Sequence, residues 1–277
     1  MTLAAGIVAR ADFSYSSTRK AASGAAEQTI KHYIKGQKMK DDHGDTATVI
    51  DFDAQTITSI NQSQKTYSVK KFSDLGDAHA PSDVDIKVDV KKTGEVKTIA
   101  GFKANEVVFT MDVDNPQSQK AGRKILVEMD LWISKDVPGS SEMRAFYEKN
   151  GSRFPWSALM GSGNPGMQKA MVALQRQIAS LDGVPVMQVI KVKAGGSSAE
   201  AAVMQQRMAQ ARERLEDMIK QGGPQADAAK QALARMGSAS PGSGNLFETT
   251  MEFEGFSTAA IPDAVFAVPA GYQKADK

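Results

Sequence analysis

The stretch Arg-Lys-Ile-Leu-Val-Glu-Met-Asp-Leu-Trp-Ile-Ser-Lys, residues 123–135, carries an apolar side chain at every second position from Ile125 to Ile133. Side chains alternate between the two faces of a strand, so these positions share one face and Glu128 falls on the other. The same alternation returns over residues 84–91 and 247–254. This pattern is typical of an antiparallel sheet with one solvated face and one apolar face that other elements cover.

The composition is that of an ordinary soluble globular protein. The 277 residues are 41% hydrophobic and 24% charged, and their formal net charge is +2. Because basic and acidic residues are mixed, we expect no nucleic-acid partner. No stretch approaches the roughly 18 apolar residues of a membrane span, so the chain is not expected to be membrane-spanning. The absence of cysteine excludes disulfides, thiolate metal sites and cysteine nucleophiles.

Short strands dominate the first half of the chain. Turn residues separate runs with strand character, which predicts a meander of antiparallel strands near 7–16, 29–39, 46–53, 56–61, 65–71, 84–92, 96–100, 103–113 and 123–134. Strand patterns return at 184–192 and 246–256. We expect one α+β domain spanning residues 1–277.

Helical patterns interrupt the strands in the second half. The sequence predicts a helix over 141–149, capped by Ser140 and ended by Gly151. Asn164-Pro165 is a typical helix start, and an apolar stripe follows it at Met167, Met171, Leu174, Ile178 and Leu181. Residues 198–237 are predicted to form a helical hairpin inserted between two strands, because glycine-rich linkers flank two amphipathic segments.

No motif in the sequence indicates catalysis or a cofactor. Gly161-Ser-Gly163-Asn-Pro-Gly166 matches a dinucleotide-binding pattern, but a helical segment precedes it and Pro165 lacks the N–H that a phosphate needs. The run 41–45 around His43 contains metal-ligand residue types, yet such a run is more typical of a solvated hairpin turn. The three histidines lie in separate segments, and none accompanies a serine in a nucleophile-elbow context. We therefore predict no enzyme, no metal and no cofactor.

Fourteen methionines occur, and many lie on helical stripes. Methionine is flexible and polarisable, so as a group these residues favour an apolar interior or groove that adapts to variable partners, although core filling is the more common role of any single methionine.

The order of elements resembles a known family. The residues that carry the resemblance are the hairpin Lys97-Thr-Ile-Ala-Gly-Phe-Lys, the strand Leu131-Trp-Ile-Ser-Lys-Asp, the segment Gly183-Val-Pro-Val and the ending Phe266-Ala-Val-Pro-Ala-Gly-Tyr. In these it resembles a family of exported bacterial proteins of unknown function that is similar to the LolA/LolB-like and RseB-like envelope proteins. The resemblance implies a curved antiparallel sheet, an incomplete β-barrel of about 11 strands, that covers inner helices. It also implies a periplasmic or otherwise exported protein, and we expect that a signal peptide has been removed upstream.

Two functions remain open at this point. The first is a non-catalytic carrier or sensor that binds a lipid or another apolar ligand in the concave face of the half-barrel. Its candidate ligand-binding residues are the predicted inward side chains Phe109, Met111, Val127, Met129, Leu131, Met167, Met171, Leu174 and Phe253. The alternative is an envelope protein–protein interaction module that uses the 198–237 hairpin through Met204, Met208, Leu215 and Met218.

Overall fold

A computed structural model describes residues 12–20, 27–75, 86–113, 124–155, 174, 177–178, 180–195, 198–223, 225–236 and 245–275. Within these ranges twelve strands form one sheet. The strands are β1 (Phe13–Lys20), β2 (Gln28–Lys35), β3 (Lys38–Asp42), β4 (Thr46–Asp51), β5 (Thr56–Asn61), β6 (Thr66–Lys71), β7 (Ile86–Ile99), β8 (Phe102–Val113), β9 (Lys124–Ser134), β10 (Val184–Gly195), β11 (Asn245–Ser257) and β12 (Gln273–Lys274). The longer helices described are α1 (Ser140–Asn150), α2 (Ser198–Gln221) and α3 (Ala226–Met236).

The sheet consists of two meanders that join in its middle. Its strand order is β12-β6-β5-β4-β3-β2-β1-β11-β10-β9-β8-β7, so the meander β1–β6 meets the meander β7–β11 where β1 pairs with β11. The described pairs are antiparallel except β12 with β6, which is parallel. The predicted antiparallel sheet is therefore confirmed. The sheet is open, with β12 at one end and β7 at the other, and its strand number is twelve where about 11 were expected.

The strand boundaries correct the sequence prediction at two glycines. The predicted strand 29–39 is two strands, because the chain turns at Gly36, whose φ is 60°. The predicted strands 84–92 and 96–100 are instead one strand, β7, and Gly94 lies in a bulge where the register with β8 shifts. A left-handed glycine, here with φ 85°, is compatible with either a turn or a bulge, and only strand pairing decides between them.

One face of the sheet, which we call the helix face, carries Phe13 and packs against α1. The register places Phe13 opposite Ile34, and both pack in one cluster with Phe146 of α1. The opposite face, the tail face, packs against the C-terminal segment 261–272 through a second cluster that includes Val49 and Ile60. Both faces of the β1–β6 meander are therefore covered.

The start of α1 differs from the prediction. The helix was expected at 141–149 and is present at Ser140–Asn150, but Gly139 is the N-cap residue and no side chain caps the helix. Gly139 has φ 77°, and a Cβ atom there would lie 2.6 Å from Cδ2 of Phe13. Glycine is therefore favoured at position 139 because a side chain there would collide with Phe13, and not because of a capping hydroxyl.

The expectation of one fully solvated face is wrong at β9. On the side of β9 opposite Leu131, Trp132 is 3% exposed and Ser134 is fully buried. The Trp132 ring packs in the cluster that contains Phe13 and Phe146, which we call the α1 cluster, and the ammonium of Lys97 lies 4.2 Å from the centroid of the Trp132 ring. Both faces of this strand are buried near its end, so its polar residues there need partners.

Candidate ligand-binding face

An apolar cluster lies on strands β8, β9 and β10. The register places Met129 between Phe109 on β8 and Ile190 on β10. Phe109 and Leu131 are fully buried, and Met111 and Met129 are at most 6% exposed. Val127 packs against this cluster at partial exposure. Five of the residues predicted from strand alternation therefore meet in one cluster, which we call the apolar cluster.

Three residues of the predicted stripe cover part of the apolar cluster. Leu174, Ile178 and Leu181, three members of the predicted stripe, pack against it, and Leu174 is 1% exposed. Leu174 and Ile178 have helical backbone and lie four residues apart, a spacing that places side chains on one side of a helix, whereas Leu181 lies in a bend. The stripe members Met167 and Met171 lie outside the described residues.

Phe253 lies on the same face but in another cluster. It sits opposite Ser17, and its ring is 6.1 Å from that of Tyr15, within the α1 cluster. The register continues from Met251 through Gln188 to Leu131, so Phe253 and Leu131 lie on the same face of the sheet. Phe253 therefore lies on the sequence-predicted face without belonging to the apolar cluster.

The structure describes the side chains of only two of the four partner-binding residues predicted in the 198–237 hairpin. Leu215 and Met218 are half-buried on α2, whereas the side chains of Met204 and Met208 lie outside what the structure describes. Helix α2 contacts α3 and also strands β10 and β11. Part of the predicted apolar stripe on α2 is therefore shielded from solvent by the chain itself.

A row of polar residues crosses the helix face beside α1. The register places Tyr15, His32, Asp41 and Thr48 directly opposite one another on strands β1–β4. His32 Nε2 is 2.7 Å from Ser17 Oγ, and His32 Nδ1 is 2.7 Å from Asp41 Oδ1. Tyr15 stacks on the imidazole with ring centroids 4.4 Å apart. We call Ser17, His32 and Asp41 the Ser–His–Asp chain.

Two tyrosines join this row to α1. Burial is the largest cause that raises the pKa of Tyr15 well above its ordinary value, and Tyr147 and Asp41 act in the same direction. Burial and then Asp41 also raise the pKa of Tyr147. Tyr147, on α1, packs against the same cluster that contains Tyr15. Both phenols therefore remain protonated at neutral pH and can each serve as hydrogen-bond donors.

Sequence reasoning missed the Ser–His–Asp chain. It treated residues 29–39 as one strand and assigned Asp41 to a turn cluster with His43. The missing signal was the hairpin at Gly36, because a turn there places His32 and Asp41 in register on adjacent strands. The predicted turn between β3 and β4 is confirmed at its loop, where Gly44 N donates to Asp42 Oδ1 at 3.0 Å.

The opposite face of β9 and β10 carries a charged network. Lys191 Nζ lies 2.6 Å from Asp130 Oδ2 and 3.2 Å from Glu128 Oε1, and Lys193 Nζ lies 2.8 Å from Glu128 Oε2. Burial favours the neutral form of Glu128, but Lys193 and Lys191 outweigh it and lower the pKa of this carboxyl. The charges are paired across strands, which is the ordinary way to stabilise a half-buried ionic face.

The described ranges show neither a metal-binding cluster nor a membrane-spanning helix. No group of three or more His, Asp or Glu side chains there is placed to hold a metal ion. In the same part of the chain, no helix is long and apolar enough to cross a membrane.

Comparison with known proteins gives a family match. The model of a family described as "Domain of unknown function (DUF4412)" matches residues 19–213, well over half of the chain. A search among curated proteins found no match. The likeness to LolA, LolB and RseB gains no support from these comparisons.

Proposed function

The chain belongs to the DUF4412 family, and we propose that it binds a lipid or another apolar ligand on the helix face, as a non-catalytic carrier or sensor of the bacterial envelope. The observation that carries the proposal is the apolar cluster, which is contiguous over β8, β9 and β10 and is partly covered by Leu174, Ile178 and Leu181. Ligand sites are usually concave and mostly apolar, with few polar groups.

The composition of the cluster supports an adaptable site. Met111 and Met129 contribute flexible thioether side chains next to the rigid ring of Phe109. Methionine changes rotamer at low cost, so such a lining accommodates ligands that differ in shape. The covering residues Leu174 and Ile178 have helical backbone, and an acyl chain entering between these residues and the strands would replace their contacts with similar apolar contacts.

A fluorescent apolar dye tests this proposal. We expect the full chain to bind N-phenyl-1-naphthylamine and native mass spectrometry after mild extraction to detect co-purifying lipid. Val127→Gln should weaken dye binding about tenfold, since burying a valine side chain contributes roughly 1.5 kcal/mol or more.

The matched control is the neighbouring residue. Leu126 is also half-buried, but it alternates to the opposite face of β9. Leu126→Gln should therefore leave dye affinity within about twofold of the parent. Failure of the parent to bind either dye or lipid overturns the proposal, as does an equal loss of affinity in both variants.

The alternative function, a protein-interaction module, draws on the α2–α3 hairpin. Val203 on α2 is 50% exposed, which leaves a large apolar side chain in solvent. An envelope protein bound there would be lost from pull-downs when Val203 is changed to Asp, whereas dye binding would persist.

A further inference from the structure

We propose that Ser17 is a nucleophile, activated by His32 and Asp41, that accepts the acyl group of a carboxylic ester. This goes beyond the proposed binding role and would correct the expectation of a non-catalytic protein. If long acyl chains bind on the apolar cluster, esters of long-chain acids should react faster, and this expectation rests on the proposed function. The reactivity of Ser17 towards short esters does not.

The hydrogen bonds of the Ser–His–Asp chain have a direction. An ionised carboxylate only accepts, so Asp41 Oδ1 accepts from the Nδ1–H of His32 across 2.7 Å. In the neutral imidazole, Nε2 then carries the lone pair, and the Ser17 hydroxyl donates to it across 2.7 Å. A serine that donates to a histidine oriented by a carboxylate is the arrangement that activates a serine nucleophile, and it is recognised by geometry rather than by sequence order.

The surroundings hold this geometry. Ser17 is 1% exposed, and the His32 and Asp41 side chains are 11% and 23% exposed. Tyr15 stacks on the imidazole and restricts its rotation. Removal of bulk water strengthens each of these polar interactions.

A β-bulge lies beside the nucleophile. The register between β1 and β11 shifts between Ser14 and Ser16, where Gly255 has φ 64°. Bulges re-aim side chains and are over-represented next to active sites. This bulge brings the rings of Phe253 and Phe256 both within about 6 Å of Tyr15, at 6.1 and 5.9 Å between centroids. These rings would form an apolar wall for the acyl group.

The reaction balances without a cofactor. Ser17 Oγ forms a bond to the ester carbonyl carbon as its proton moves to His32 Nε2. The ester C–O bond then breaks, and the leaving alcohol takes that proton. Water repeats the sequence on the acyl-serine, which releases the carboxylic acid and restores Ser17. Asp41 stays ionised and stabilises the imidazolium formed in each step.

A short fluorophosphonate tests the proposal on the full chain, because it reacts with activated serines and does not need a long acyl chain. The intact mass should increase by one phosphonyl group, and peptide mapping should place it on Ser17. Ser17→Ala should abolish labelling. His32→Gln and Asp41→Asn should slow it by about 10²–10⁴-fold, the usual contribution of a general base.

The control is Ser16→Ala, which removes the neighbouring hydroxyl on the opposite face of β1 and should label at the parental rate. Circular dichroism checks that each variant is folded. An unlabelled parent protein overturns the proposal without reference to any variant. Labelling at another residue, or labelling that His32→Gln does not slow, also overturns it. If the protein binds the dye but is not labelled, the proposed binding function stands and the nucleophile proposal fails. If it is labelled but does not bind the dye, the nucleophile proposal stands and the binding function fails.

Discussion

Replacing Gly139 with alanine tests how closely the start of α1 packs on the sheet. The backbone at this residue has φ 77°, a left-handed conformation that costs an alanine about 1–2 kcal/mol. The new Cβ would also lie 2.6 Å from Phe13 Cδ2 and 2.7 Å from Thr258 Cγ2. Phe13 is fully buried, so its ring cannot move aside into solvent. Overpacking of this kind costs about 1–3 kcal/mol.

Gly94 provides the matched control. Its φ is 85°, close to that of Gly139, but a Cβ there would meet nothing within 4 Å. Gly94→Ala therefore carries the backbone cost alone, while Gly139→Ala carries both costs. We expect the free energy of unfolding to fall by about 1–3 kcal/mol more in Gly139→Ala than in Gly94→Ala.

Urea denaturation followed by circular dichroism measures this difference, with the slope against urea checked for constancy. Adding Phe13→Leu to Gly139→Ala should recover part of the loss, because the ring atoms that conflict with the new methyl group are gone. The two changes should thus couple in a double-mutant cycle. If the two alanine variants lose the same free energy to within about 0.5 kcal/mol, the packing of α1 on Phe13 is not as described.

Two further predictions address the charged network and the hairpin. The folded state lowers the pKa of Glu128, so its contribution, about 1 kcal/mol, is present above the ordinary glutamate pKa and is lost as pH falls through the folded value. The difference in unfolding free energy between the parent and Glu128→Gln should therefore shrink as the pH falls below the ordinary glutamate pKa of about 4.3, and a difference that grows on acidification would contradict the pairing with Lys191 and Lys193. Replacing residues 199–236 with a short turn should preserve a single cooperative thermal transition, because the register pairs Lys193 with Asn245 and so brings the two ends of the insertion together. Loss of cooperativity on this deletion would show that α2 and α3 belong to the core.

The parts of the fold that sequence predicts well are those decided by neighbouring residues. Alternation in β9 placed Met129 and Leu131 on one face, and the apolar cluster contains both. Helical spacing aligned Leu174 with Ile178 and Leu181 in the same way. Such predictions require only the periodicity of one strand or helix, because the hydrophobic effect turns its apolar side towards the protein interior.

The parts that sequence could not predict depend on pairing between distant segments. Nothing local to β1 indicates that its neighbour is β11, more than 200 residues away, and the placement of Phe253 opposite Ser17 follows from that pairing alone. The Ser–His–Asp chain required two strand registers at once, and a one-residue shift in the register of β2 against β3 would put His32 and Asp41 on opposite faces. The periodicity of a single strand cannot reveal such a polar site, because its residues come from three different strands.

The pairing of β1 with β11 also determines how the two proposed activities relate. Ser17 lies on the strand where the two meanders meet, and the apolar cluster begins two strands away, on β10. Neighbouring strands lie about 4.8 Å apart, so about 15 Å separates β1 from β9 across the helix face. An extended acyl chain over the apolar cluster would therefore reach Ser17 with its ester end. A series of p-nitrophenyl esters tests this directly: the rate of acyl release should rise with chain length until the chain spans that distance and then level off. A rate independent of chain length would mean that the two sites act separately.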